Sequence, residues 1–195
     1  MFVFIISCLT EEDLAAWPGS AGRLLEVSDS GPFKENKIEA GYFLQGCIRG
    51  DPDCEQDESP RHKVHLSYHI WVSQTEITQE LWNNVMENPT SNEDNADSYL
   101  PLVNVTWFEM MELANSLSEQ EGLEPCFDYI GQYLTPPEDC SGYRLPTEAE
   151  WEYLSRAGEY ELYAGTSNSD DLWHISNSEG SIQNSCLHNK NNYQK

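Results

Sequence analysis

The chain has 195 residues, of which 38 % are apolar and 11 % aromatic, enough for one packed core and too many for wholesale disorder. Its 34 Asp and Glu against 10 Lys and Arg leave a net charge of −24, a surface that repels phosphate backbones and anionic headgroups. Nucleic acid is therefore excluded as a partner. No run approaches the ~18 apolar residues of a bilayer span.

The opening MFVFIISC (1–8) carries Ile5-Ile6-Ser7 before Cys8, the pattern that precedes a lipid-modified cysteine in bacterial lipoproteins. The positive n-region and longer apolar stretch of an export signal are missing. Lipidation at Cys8, a clipped export signal and coincidence all stay open. Residues 9–38 are polar and mixed, with Pro18, Gly19, Gly22, Gly31 and Pro32, and read as a linker or loose arm.

A strand pattern begins at Ile38 and includes Tyr42, Phe43 and Leu44. Cys47 and Cys54 then flank a loop with Gly50 and Pro52, and Cys126 and Cys140 flank another with Gly131, Pro136 and Pro137. Both read as loops stapled by local disulfides, which places the chain in an oxidising compartment; free buried thiols are the alternative. A closed 14-residue loop stabilises by about 3 kcal/mol when unstrained. The six cysteines contain no C-x-x-C pair, which argues against a zinc ribbon or thioredoxin-type motif. The stretch DPDCEQDES (51–59) lacks the sixth-position Gly and closing Glu of a helix–loop–helix calcium loop.

HKVHLSYHIWVSQTEI (62–77) alternates, with Val64, Leu66, Tyr68, Ile70 and Val72 on one face, and predicts one long half-buried strand. His62 faces away from His65 and His69, which sit about 13 Å apart on such a strand. One ion cannot bridge them, so all three belong to the surface or the strand edge. Thr78 is the expected N-cap of a short helix with Leu81, Trp82, Val85 and Met86 on one side, followed by a polar loop over 87–99.

Two capping boxes follow. Thr106 and Glu109 open a helix whose stripe is Trp107, Met110, Met111, Ala114 and Leu117, with Gly122 as its stop. Thr147 and Glu150 open another, held off by Pro146, with Trp151, Leu154 and Ala157 as the buried seam and Gly158 as the stop. Arg144, a rare cation in this chain, is expected to pair with carboxylates. Beyond Gly158 the pattern fades into Asn- and Ser-rich sequence.

The words DESPRHKVHL (57–66), TEITQELW (75–82), PLVNVTWFEMMELAN (101–115), GYRLPTEAEWEYLSRAG (142–158) and YAGTSNSDDL (163–172) together resemble the formylglycine-generating enzyme family, also called sulfatase-modifying factor domains. The resemblance implies an α+β, C-type-lectin-like fold with much irregular backbone, cut short at its C-terminal end. It also implies structural Ca²⁺ as a cofactor and, in complete members, copper-dependent oxidation of a sulfatase cysteine to formylglycine. That chemistry uses two cysteines four residues apart, a thiolate pair suited to Cu(I). No two cysteines here have that spacing and the family's GN-x-WEW word is absent, so no catalytic residue is carried over and copper is not expected. Family calcium ligands would fall near 173–180, where the match names no residue.

The expected organisation is an export- or lipoprotein-like start and linker over 1–37, a partial domain of this family over 38–182, and an unstructured tail over 183–195. The expected function is a sulfatase-modifying-factor-type protein inactive by itself, outside the cytoplasm, with a sulfatase-like polypeptide or another protein as partner. A non-enzymatic binding module of lectin-like fold is the alternative. The related iron-dependent sulfoxide synthases need a His-rich helical domain that this sequence does not show.

Overall fold

A computed structural model describes residues 2–3, 24–86, 100–156 and 162. Seven strands and three helices follow in chain order among them: β1 (Phe2–Val3), β2 (Leu24–Ser28), β3 (Glu35–Ile38), β4 (Gly41–Gln45), β5 (His62–Leu66), β6 (Ile70–Ser73), α1 (Gln79–Val85), α2 (Trp107–Gln120), β7 (Tyr143–Arg144) and α3 (Glu148–Arg156). Five strands form one sheet in the order β2-β3-β6-β1-β7, with β2, β3 and β6 antiparallel and β1 parallel to both β6 and β7. A separate antiparallel pair joins β4 to β5. The result is an irregular α+β fold of the C-type-lectin-like kind.

Several expectations change here. Leu24–Ser28 and Glu35–Ile38 are strands, where glycines and prolines pointed to a loose arm; Asn36 pairs opposite Val72 within the sheet. Phe2–Val3, read as part of an export start, is also strand, while Cys8 lies outside the described residues. The single long strand over 62–77 is two strands in two different sheets, broken at Ser67-Tyr68-His69. The break turns Tyr68 away from a continuous face and lets its hydroxyl reach Glu150. His62, His65 and His69 are exposed, and His69 Nδ1 accepts from the Ala40 amide at 3.0 Å.

Two apolar clusters hold the elements together. Ile38, Leu66, Ile70 and Val72 meet Tyr153 and Leu154 of α3. On the other side, α2 brings Met111, Leu113, Ala114 and Leu117 against Ile77, Trp82, Phe127, Tyr143 and the Cys126–Cys140 pair. Burying one such side chain contributes roughly 1.5–3 kcal/mol. The predicted stripes need rotation. Trp107 is 47 % exposed, whereas Leu113, outside the predicted α2 stripe, is fully buried. On α3, Trp151 is 46 % exposed and the inward face is Glu150, Tyr153 and Leu154. Ala157 and Gly158 lie outside the described residues.

Helix ends follow the local chemistry. Thr78 Oγ1 accepts from the Leu81 amide at 3.2 Å, capping α1. At the end of α2, Gly122 takes φ +71°, its amide donates to Glu119 O, and the Leu123 amide donates to Ser118 O. That pair of bonds is the left-handed glycine stop that satisfies a helix's last carbonyls.

Candidate functional site

The densest polar chemistry lies where RLPTEAE enters α3. Arg144 and Glu150 are both 0 % exposed and joined by a two-pronged ion pair: Arg144 Nη1 donates to Glu150 Oε2 at 2.7 Å and Nη2 donates to Oε1. Arg144 also donates through Nε to Pro137 O and through Nη1 to Leu145 O, both at 3.0 Å. Glu150 further accepts from the Thr147 amide at 2.8 Å, Thr147 Oγ1 at 3.0 Å and Tyr68 Oη at 2.9 Å. The capping box is thus one edge of a buried network linking the β5–β6 break, the loop before β7 and α3.

Burial pushes the Glu150 carboxyl up, but the bonds and charge of Arg144 and the Thr147 amide outweigh it and hold the group below its ordinary range. Burial works against the Arg144 guanidinium as well, and Glu150 more than compensates. Burial, then the Glu150 charge, raises the Tyr68 phenol. Every member is ionised or neutral as its partners require. A carboxylate holding five donors has no lone pair facing a substrate, so this network positions backbone rather than moving protons.

The second feature is the pair of stapled loops. Cys47–Cys54 and Cys126–Cys140 are disulfides, with Cα atoms 5.6 and 5.7 Å apart, and no cysteine among the described residues is free. The first loop is also tied to α3: the Gly46 amide donates to Glu152 Oε1 at 2.9 Å and Arg156 Nη2 donates to Gly46 O at 3.0 Å. Gly46, at φ +103°, lies so close to the Glu58 carbonyl that a Cβ would fall 2.4 Å from its oxygen. Cys47, Cys54 and Glu58 bring two sulfurs and a carboxylate together, but each sulfur is bonded to the other. Thiolate, the form copper and zinc bind, is not on offer there. The described residues therefore do not fit a copper centre. The stretch near 173–180 where calcium ligands are expected lies outside them.

The sequence reading missed two features. Glu35 is buried beside Tyr143 and hydrogen-bonded to it; burial pushes its carboxyl up to about 7. Nothing in ENKI (35–38), polar and within the stretch read as a linker, marks that acid as buried. The other is a run of rings, Phe108, Trp107, Phe127 and Tyr133, in edge or tilted contacts at centroid distances of 5.3, 5.7 and 4.6 Å, exposed except at the buried Phe127. The signal for it was YIGQYL (129–134), apolar residues inside a stapled loop where polar ones are the rule. A cleft of about 310 Å³ opens between Phe33, the segment 73–78 and α1, with Glu76, Glu80 and Asn84 at its walls.

Comparison with known proteins agrees with the architecture. The chain is 31 % identical over 128 residues to the chaperone protein LppX of Paenibacillus barcinonensis, covering 55 % of this chain and 45 % of that one. It thus spans about half the length of that curated relative. Among solved structures, variable protein 1 of Treponema denticola matches with a TM-score of 0.60 at 26 % identity, over 78 % of this chain and 65 % of that one. A crystal structure of CarF matches with a TM-score of 0.54 at 26 % identity, over 72 % and 66 %. The family described as the sulfatase-modifying factor enzyme 1-like domain matches residues 33–194, and the chain belongs to that family.

Proposed function

We propose that this chain uses the sulfatase-modifying-factor scaffold to hold a polypeptide, outside the cytoplasm, rather than to oxidise one. The observation that carries this reading is the state of its sulfur: the four cysteines of the described residues are spent in two disulfides, and no two of the six in the sequence are four apart. Oxidation of a substrate cysteine by the family's route needs a free thiolate pair to seize copper. Two disulfides in a chain of this size also fit an oxidising compartment. Lipid attachment at Cys8 would hold the domain at a membrane surface. The name of the relative LppX, a chaperone protein, is in line with a role in binding other chains.

The test is direct. Purified protein is given Cu(I), oxygen and a peptide with the sulfatase-type C-x-P-x-R sequence, and the product is examined by mass spectrometry for the aldehyde. No conversion is expected. Catalytic appearance of the aldehyde would overturn this reading.

A further inference from the structure

The charge of this chain is segregated as well as large. Between Val64 and Tyr143 the sequence has no Lys or Arg, while Asp and Glu recur through it, from Glu76 to Asp139. Lys34, Lys37, Arg49, Arg61 and Lys63 all precede that stretch; Arg144 just after it is sealed inside, and Arg156 is paired with Glu152. The described residues of α1, α2 and the Cys126–Cys140 loop therefore carry exposed carboxylates and supply no Lys or Arg of their own.

On these elements sits the ring cluster. Trp107 and Phe108 open α2, and Tyr129, Ile130, Tyr133 and Leu134 come from the stapled loop; Tyr129 is 93 % exposed. The two elements are locked together. Gly131, at φ +83°, lies so close to Trp107 that a Cβ would fall 2.5 Å from its ring. Asp128 Oδ1 accepts from the Ile130 and Gln132 amides at 3.0 and 2.8 Å, and Leu134 donates to Cys126 O at 2.9 Å. The rings are thus presented on a fixed platform, so ordering them costs little on binding. Glu112 is exposed one turn along α2 from Phe108.

We propose that this face is a docking surface for a cationic, amphipathic polypeptide segment, whose apolar side chains would lie on the rings and whose Lys or Arg would meet the surrounding carboxylates. Charge chooses this occupant. A second copy would bring a like-charged face, and an anionic lipid surface would be repelled. The rings supply the affinity, because buried aromatics carry most of the energy of such contacts, and the carboxylates supply the selection. This inference rests on the binding reading above and names its partner chemistry.

The experiment uses the full chain and a short fluorescent amphipathic peptide of lysine and leucine, with a twin in which glutamate replaces lysine. The lysine peptide is expected to bind and to weaken as salt is added, and the glutamate twin not to bind. Phe108→Ser on α2 and Leu134→Ser on the loop are each expected to weaken binding by about tenfold. Tyr42→Ser, at the exposed ring of the β4–β5 pair, should leave it unchanged. Unaltered urea midpoints would show that the variants remain folded. Equal binding of the two peptides, binding by the two patch variants as tight as the parent's, or an equal loss in Tyr42→Ser overturns the proposal. So does a concentration-dependent dimer that Phe108→Ser dissolves, which would assign the face to a second copy. Aldehyde formation in the copper assay would remove the binding reading and leave these affinities standing, so the two failures are distinguishable.

Discussion

The two Thr-x-x-Glu boxes share one local geometry and serve different ends. In both, the glutamate accepts from the threonine amide and hydroxyl, and the glutamate amide donates back to Oγ1 at 3.3 Å. Glu109 then stops at the surface. Its carboxyl is held below its ordinary range by the Thr106 amide and hydroxyl. Glu150 goes on to take Arg144 and Tyr68, and so ties three distant segments together. The same motif is a helix start in one place and a keystone in the other, and burial makes the difference.

The largest expected effect lies at the keystone. Glu150→Gln keeps the shape but leaves the Arg144 guanidinium buried beside a neutral amide, which should cost about 3–5 kcal/mol in urea unfolding. Arg144→Met with Glu150→Leu removes both charges. The pair of changes is expected to cost less than Glu150→Gln alone, because no uncompensated charge remains. Glu109→Gln should barely move the midpoint. If Glu150→Gln were as mild as Glu109→Gln, the two boxes would be equivalent and the comparison would fail.

A second acid sharpens the contrast by having the opposite sign. Glu35 is buried, and burial outweighs its hydrogen bond to Tyr143, so its folded carboxyl stands at about 7. Between the ordinary value of 4.5 and about 7, the folded state holds a proton that the unfolded state has released. Its contribution is therefore full below 4.5 and is lost as pH rises through 7. Glu35→Gln keeps the neutral form at every pH, so it should be more stable than the parent by about 1–2 kcal/mol at pH 8, the shift being discounted for water near the pair. The gap should close toward pH 5. Glu150 runs the other way: its folded value is lowered, and its contribution is lost as pH falls below the ordinary carboxylate range. Chemical denaturation of both Gln variants across pH reads the two signs directly.

Legibility in the sequence tracks distance along the chain. Thr78, both capping boxes, the Gly122 stop and the cysteine-flanked loops are all set by residues close to one another, and each could be read from spacing. The family words gave the architecture that α2, α3 and the mixed sheet display. Tyr68 could not be placed with Glu150, since 82 residues separate them and the intervening break at Ser67–His69 looks like continuous strand. The α3 seam was misjudged for a physical reason. An apolar count favours Trp151, but Arg144 needs its carboxylate inside, and turning Glu150 inward carries Trp151 to the surface. The exposed rings beside Gly131 were equally hidden, because a stripe on a helix carries no mark of which end the core covers.

The smallest effect isolates what the boxes have in common. Thr106→Ala removes the cap of α2 and a donor to the solvated Glu109 carboxylate, and should cost about 1 kcal/mol, the ordinary worth of a threonine N-cap. Thr147→Ala removes the same cap and also one donor to a sealed carboxylate that keeps its full charge. It should cost more than its counterpart by roughly another 1 kcal/mol, since hydrogen bonds to buried ions exceed those between neutral groups. Measured together in urea with unchanged slopes, the difference between the two alanine variants is the share of the network that belongs to the threonine. Equal losses would mean that Arg144 and Tyr68 alone satisfy Glu150, and that the second box adds nothing beyond starting its helix.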